Sequence, residues 1–241
     1  MNYVVPWVLD KVSLNGISVL EIGCGEGGNL PPFEAKGSTV TGVDRNPRRI
    51  AQARHFIESD NSLSSIQLVV AEALDLNKQS IGKFDLIILK DFIEHIDREA
   101  FLPVLKDLIE PNVKVFIAFP PWLMPYGGHQ QICNNKLARF PWLHLLPLTS
   151  YGKALRWLGE SDEVIKSLTE VYTEGVNIEA LYTDLINHGF QIDQQELFLI
   201  NPGYESKFGL KPRKQIPILR SIPWLRNFYT TCCYMLVSVS K

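Results

Sequence analysis

Val19-Leu20-Glu21-Ile22-Gly23-Cys24-Gly25-Glu26-Gly27-Gly28-Asn29 is a short apolar run that breaks into glycines. With Ile17 before it, the first part reads as a β-strand, and the glycines fall where a strand must turn toward a helix. Gly23, Gly25 and Gly28 stand at the G-x-G-x-x-G spacing of a nucleotide-binding turn. Only glycine lets the backbone bend this sharply and approach a ligand with no Cβ in the way. A following helix would offer unpaired N–H groups and a positive dipole end to a carboxylate or phosphate. Glycine-rich loops are common, so the flanking residues decide what this one binds.

Outward from that turn the chain alternates. A helix over Val4–Leu14 precedes strand one, Ile17–Ile22. A short helix follows the glycines, with Pro31 and Pro32 tolerable only in its first turn. Thr39–Asp44 reads as strand two, and Asn46-Pro47 opens a helix to about Ser59. Ile66–Val70 is strand three, Phe84–Leu89 strand four, and a helix over Arg98–Ile109 leads to strand five, Val113–Phe119. This rhythm predicts an α/β fold with a doubly wound, mostly parallel sheet and right-handed crossovers. It stops after Phe119. Residues 120–175 are rich in proline, glycine and aromatics and then turn helical, an insertion expected to cap the substrate side. The rhythm resumes with a helix over Ile178–Asn187, a stop at Gly189 and strand six, Phe190–Ile200. An irregular link over 202–230 precedes a last strand, Cys232–Ser238.

The 241 residues, 46% of them hydrophobic, suffice for one domain with a full core. A net charge of −2 argues against nucleic acid as a partner. Cys24, Cys133, Cys232 and Cys233 form no C-x-x-C pair or zinc spacing, so free thiols in a reducing cytoplasm and no metal are expected. Neither a signal peptide nor a membrane-spanning run is read, which predicts a cytoplasmic protein.

In such sheets ligands bind at the carboxyl ends of the strands, where the winding reverses. Glu21 and Gly23 end strand one, Asp44 ends strand two with Arg45 beside it, Glu72 follows strand three, and Lys90-Asp91 follow strand four. Asp44 is placed to accept from two ribose hydroxyls. Glu72 suits an adenine amino group, with the Ala73 N–H toward a ring nitrogen. This set would hold an adenosine with a charged group against the glycine turn. Each acid also has a plain structural role open to it: Glu21 as a packing or surface acid, Asp44 as a helix cap, Glu72 as a solvated side chain.

These pieces together resemble a class I S-adenosylmethionine-dependent methyltransferase. The segments are Val19–Gly25, Thr41–Asp44, Ala71–Ala73 and Phe84–Ile96, in the family's order over about the first half of the chain. The resemblance implies a Rossmann-like sheet of seven strands, closed by an antiparallel hairpin from the last two, and S-adenosylmethionine as cofactor. It implies Gly23, Gly25 and the backbone near Leu89 and Lys90 at the methionine end, Asp44 at the ribose, and Glu72 with Ala73 at the adenine. Glu94-His95 matches a pair the family carries after strand four, read here as a structural turn. A dinucleotide-binding oxidoreductase shares the glycine spacing. Those folds usually carry an apolar residue where Glu21 stands, and a tightly packed helix in place of Asn29-Leu30-Pro31-Pro32. A cofactor-binding protein of the same fold without catalysis is the other alternative.

The acceptor side is read from Phe119-Pro120-Pro121-Trp122 to Gln130. It resembles the Asn/Asp-Pro-Pro-aromatic motif of amino-group methyltransferases, but follows strand five and lacks the amide or acid. An oxygen acceptor is therefore favoured, with carbon as a subsidiary option. Methyl transfer is an in-line displacement that depends on positioning, and an oxygen acceptor gains from a base. His129 is the candidate general base, aided by Tyr126, with Trp122 and Tyr126 walling the pocket; alternatively His129 only ties the loop. Apolar Phe140–Leu148, with Tyr151, Leu155, Trp157 and Leu158, suits a lid over a hydrophobic acceptor, or a plain helical cap; the acceptor expected is a small molecule or a lipid- or glycan-linked one. Phe208–Lys214 and Pro223–Phe228 interleave cations with aromatics, which suits peripheral membrane contact or a simply solvated basic edge.

Overall fold

The computed structural model describes residues 3–59, 65–110 and 112–239. α1 (Val4–Leu9) buries Val4, Val5 and Val8 and ends well before Leu14. Its β-branched valines are weak helix formers, and Ser13, Asn15 and Gly16, the last at φ +76°, turn the chain into the sheet.

β1 (Ser18–Ile22), β2 (Thr39–Asp44), β3 (Ile66–Val70), β4 (Leu86–Lys90) and β5 (Lys114–Phe119) run parallel in the spatial order β3-β2-β1-β4-β5. Between them lie α2 (Pro31–Glu34), α3 (Pro47–Glu58), α4 (Lys78–Ile81) and α5 (Arg98–Leu108). Alternate residues face opposite layers. Val115, Ile117 and Phe119 join the core under α5, while Phe116 and Ala118 join the core under α1 and α3. Apolar cover on both faces is why the inner strands read as unbroken hydrophobic runs. The winding reverses between β1 and β4, so the crevice at their carboxyl ends is the candidate site.

The insertion holds α6 (Leu148–Trp157) and α7 (Asp162–Glu174), packed on a third cluster of Cys133, Ala138, Tyr151, Leu155 and Leu168 that is separate from the sheet. The chain then returns through α8 (Ile178–Asn187) and β6 (Phe190–Ile200). The link expected to be irregular contains α9 (Tyr204–Phe208), β7 (Arg213–Lys214), α10 (Pro217–Arg220) and α11 (Leu225–Phe228) before β8 (Cys232–Val239). β8 lies antiparallel between β5 and β6, and β7 extends the edge beyond β6. The sheet therefore has eight strands, one more than expected. Two residues are too few to show a period, and β7 is held by tertiary contacts: Lys214 with Glu196, and the Gln215 N–H to the Leu197 carbonyl at 2.7 Å.

The link is clamped onto α8. The carboxylate of Glu179 accepts from Arg226 Nε at 2.8 Å and from Asn227, and Asn227 Oδ1 caps the Ile178 N–H at 2.9 Å. The insertion is tied by buried Gln130 and His144. Gln130 Nε2 donates to the Pro125 carbonyl at 2.9 Å and meets His144 Nδ1 at 3.2 Å; His144 Nε2 meets the Trp122 carbonyl at 2.7 Å. With Nε2 as donor and Nδ1 as acceptor, one neutral tautomer satisfies both contacts.

Two glycines separate packing from propensity. A Cβ on Gly128 would lie 2.3 Å from His144 Cβ, whereas one on Gly152, inside α6, meets nothing within 4 Å. Gly128→Ala is expected to destabilise by about 1–3 kcal/mol through overpacking, and Gly152→Ala to stabilise by roughly 0.5–1 kcal/mol through helix propensity. Urea midpoints of the two variants check both signs.

Candidate functional site

After Ile22 the Gly23 and Cys24 N–H groups both donate to the Val43 carbonyl, at 2.8 and 3.0 Å, bending the chain over the tip of β2. Gly23 has φ +77°, and a Cβ there would lie 2.5 Å from Phe92 Cδ2. Gly25, at φ +55°, opens onto free space within 4 Å, the kind of cradle a side chain would fill. The third glycine departs from the expected spacing. Gly27, at φ +77° with Ala53 Cβ 3.0 Å from its would-be Cβ, has the close helix contact, and Gly28 has neither property. The expected helix-dipole contribution also falls away. α2 is four residues long and begins with two prolines, which have no N–H to offer.

Asp44 is nearly buried, and its carboxylate is held at both oxygens. Gly25 N–H donates to Oδ2 at 2.9 Å and Asn46 N–H to Oδ1 at 2.8 Å. Each carboxylate oxygen keeps a further lone pair, so the structural and ribose-binding readings coexist. The α3 cap itself is Asn46, whose side chain accepts from Arg48 and Arg49 N–H groups. Arg45 is exposed beside it.

Glu21 is the last residue but one of β1, paired with Gly42 and Ile88, and is 1% exposed. Its Oε1 accepts from Asn29 Nδ2 at 2.8 Å; its Oε2 is buried with no protein partner. Burial raises the Glu21 carboxyl to about 7, against the hydrogen bond from Asn29 and the positive charge of Lys90. That orphaned oxygen and the open Gly25 cradle fit the charged end of the cofactor the sequence implies. The surface-acid reading of Glu21 is excluded.

At the next tip, Leu89 turns its side chain fully into the core, so only its backbone faces the crevice. Lys90 Nζ bonds Asp91 at 2.5 Å, and Asp91 takes the left-handed region at φ +52° with its N–H on the Ala118 carbonyl at 2.8 Å. Glu72 is exposed just before a 3-10 turn over Ala73–Asp75, in which Ala73 is buried.

A second 3-10 turn, Ile93–His95, aims two chemically active groups at the insertion. Glu94 is 2% exposed, and neither of its oxygens has a partner. Burial, with the charge of Asp91, pushes its carboxyl well above the usual range. His95 is exposed, and its ring centroid lies 5.1 Å from that of His129. His129 is half-buried at φ +57°, and its ring makes no hydrogen bond among the described residues. Gln130 and His144, not His129, tie the loop. Tyr126 is half-buried; its carbonyl accepts the His129 N–H at 3.0 Å. Trp122, expected to wall the pocket, packs inside the insertion against His144 at 4.6 Å and Tyr172 at 5.2 Å, with Gly175 directly beneath. Burial raises the phenol of Tyr204 of α9, and the charges of Cys232, Tyr126 and Asp91 act in the same direction.

Sequence reading missed Asn29, Tyr204 and the Gln130–His144 tie, and treated Glu94 as a turn residue. Asn29 carried a faint signal, a side-chain amide at the end of the glycine loop. The others became visible only once distant segments met.

Residues 19–112 match the methyltransferase domain family. The ubiquinone biosynthesis O-methyltransferase of Pseudomonas putida (strain W619) is 32% identical over 116 residues, and that of Pseudomonas aeruginosa (strain LESB58) is 28% identical over the same length. Each alignment covers 47% of this chain and 49% of the relative, so the match spans about half the length of these curated relatives. A SAM-dependent methyltransferase from Methanosarcina mazei superimposes with a TM-score of 0.60 at 16% identity, over 98% of both chains. Magnesium protoporphyrin IX methyltransferase from Synechocystis PCC 6803, crystallised with bound SAH, gives 0.55 at 15% identity over 100% of this chain and 81% of that one. These two structures share the fold. The match over residues 19–112 is to a methyltransferase domain and not to the dinucleotide-binding alternative, and this segment is similar to the class I S-adenosylmethionine-dependent methyltransferases.

Proposed function

We propose that this chain transfers a methyl group from S-adenosylmethionine to a hydroxyl oxygen of a small or lipid-linked acceptor bound between the strand tips and the insertion. The observation that carries the reading is the partly satisfied acid set at those tips: Glu21 with one orphaned oxygen and Asp44 with spare lone pairs, either side of an open Gly25. The relatives named as O-methyltransferases support oxygen over carbon.

When bound, S-adenosylmethionine supplies an electrophilic methyl group on sulfur. On this chain, Glu21 and the turn at Gly23 and Gly25 hold the zwitterionic end, Asp44 the ribose hydroxyls, and Glu72 with Ala73 the adenine. His129 takes the acceptor's proton as its oxygen attacks, and Tyr126 orients that oxygen. The insertion excludes water and sets acceptor shape. A second reading concerns location. Phe208, Ile218 and Trp224 are 66%, 73% and 62% exposed, beside exposed Lys207, Lys211, Arg213 and Lys214. Aromatics and cations so arranged suit peripheral contact with an anionic membrane, where a lipid-linked acceptor would be found.

Asp44→Ala is expected to weaken binding of S-adenosylhomocysteine by about tenfold or more, the loss of one or two hydrogen bonds to a charged group, measured by calorimetry alongside a melting curve. Because Glu21 is neutral below about 7 and anionic above it, affinity for the ammonium-bearing ligand should rise between pH 6 and pH 8. Glu21→Gln should flatten that rise. His129→Ala is expected to lower turnover by roughly 10²–10⁴ with cofactor affinity unchanged, followed as label transfer into an extract of candidate acceptors; near-normal turnover would dispose of His129. Co-sedimentation with liposomes that shows no dependence on anionic lipid would remove the membrane contact.

A further inference from the structure

We propose that Glu94, His95 and His129 form a binding site for one divalent transition-metal ion, on the acceptor side of the crevice. One carboxylate oxygen and one ring nitrogen from each histidine lie within 4.8 Å of one another. On a tetrahedral ion with metal–ligand distances of about 2.05 Å, such atoms sit roughly 3.3 Å apart, and two ligating imidazoles hold their centroids about 5.2 Å apart. The His95 and His129 centroids are 5.1 Å apart, so modest side-chain rotation closes the set.

Glu94 supplies an independent observation. A carboxyl buried with neither side-chain oxygen hydrogen-bonded is costly to ionise, and the positive charge of Lys90 offsets burial and the charge of Asp91 only in part. A bound cation would offset the rest. His129 is presented from the left-handed region with no hydrogen bond to its ring among the described residues, a conformation of the kind that persists where surrounding structure holds a functional group in place. The facing charges are mixed. Asp91 acts on all three groups and favours a cation, while Lys90 acts on Glu94, and Arg45 and Arg49 on His95, and oppose one.

Two imidazoles and one carboxylate suit zinc, manganese, iron or cobalt rather than magnesium or calcium, which take oxygen ligands. Three protein ligands leave a position open, as in catalytic rather than structural sites. The inference deepens the acceptor-side reading and changes one role within it. A lone pair on His129 that holds a metal is not free for a proton. In the loaded protein His129 would be a ligand, and the ion would acidify an acceptor hydroxyl on the open position, whose proton would pass to solvent at the exposed His95 edge as its oxygen takes the methyl group. The sequence carried no such signal, because His129 lies beyond α5 and β5 from Glu94-His95.

The test uses the full chain, stripped with chelator and titrated with Co²⁺ and Zn²⁺ by calorimetry and visible absorption. One equivalent per chain is expected, with Co²⁺ giving the spectrum of a mixed nitrogen and oxygen set and Mg²⁺ giving none. His129→Ala and His95→Ala should each weaken binding by about tenfold or more, as should Glu94→Gln. S-adenosylhomocysteine affinity in the same samples should stay within about threefold, a readout that succeeds or fails separately from metal binding. No stoichiometric uptake would overturn the site, as would uptake undiminished in the double variant His95→Ala with His129→Ala. That double variant leaves buried Glu94 in place, so misfolding at Glu94 does not obscure the result.

Discussion

The carboxylate of Asp44 stands between two backbone N–H groups, that of Gly25 from the turn after β1 and that of Asn46 from the start of α3. One side chain at the tip of β2 thereby sets the path of two loops. Bonds from backbone N–H to an ionised carboxylate are short and strong, so the turn is defined before any ligand arrives. Gly23 then rests on Phe92, and Phe92 packs edge-on to Phe101 of α5 at 5.2 Å. The loops after β1, β2 and β4 thus share one mechanical frame, built on strands buried on both faces.

Against this rigid frame the site carries acids that the fold itself does not fully satisfy. Glu21 leaves one oxygen orphaned and Glu94 leaves two, all buried. Each is a cost in an isolated chain, and the apolar layers above and below the sheet are extensive enough to carry it. Unsatisfied polar groups gathered at one end of a well-packed sheet are the usual mark of a binding surface.

The insertion solves a different problem. It brings its own apolar cluster, so its shape does not depend on the sheet. It is joined to the frame by polar contacts that include the Trp122 N–H to the Val176 carbonyl at 2.9 Å and Arg98 to the Glu174 carbonyl at 2.7 Å. Inside it, the neutral His144–Gln130 contact takes up the loop's buried polar groups. The His129 ring is left with no hydrogen bond among the described residues and packs edge-on against His95.

Much of the frame was legible in the sequence. Alternating apolar runs, Pro31, Pro47 and Gly189 as boundary signals, and Glu21 and Asp44 at strand tips all encode local constraints that near neighbours in the chain enforce. By itself the sequence determined the parallel core and the place of the crevice. Tertiary structure alone decided that Gly27 and not Gly28 meets α3, that Trp122 turns inward, that Arg213 and Lys214 form an eighth strand, and that His129 meets His95. The reason is physical. Backbone preference and burial periodicity act over a few residues, whereas these contacts join segments whose approach depends on how the insertion and the C-terminal link fold back over the sheet.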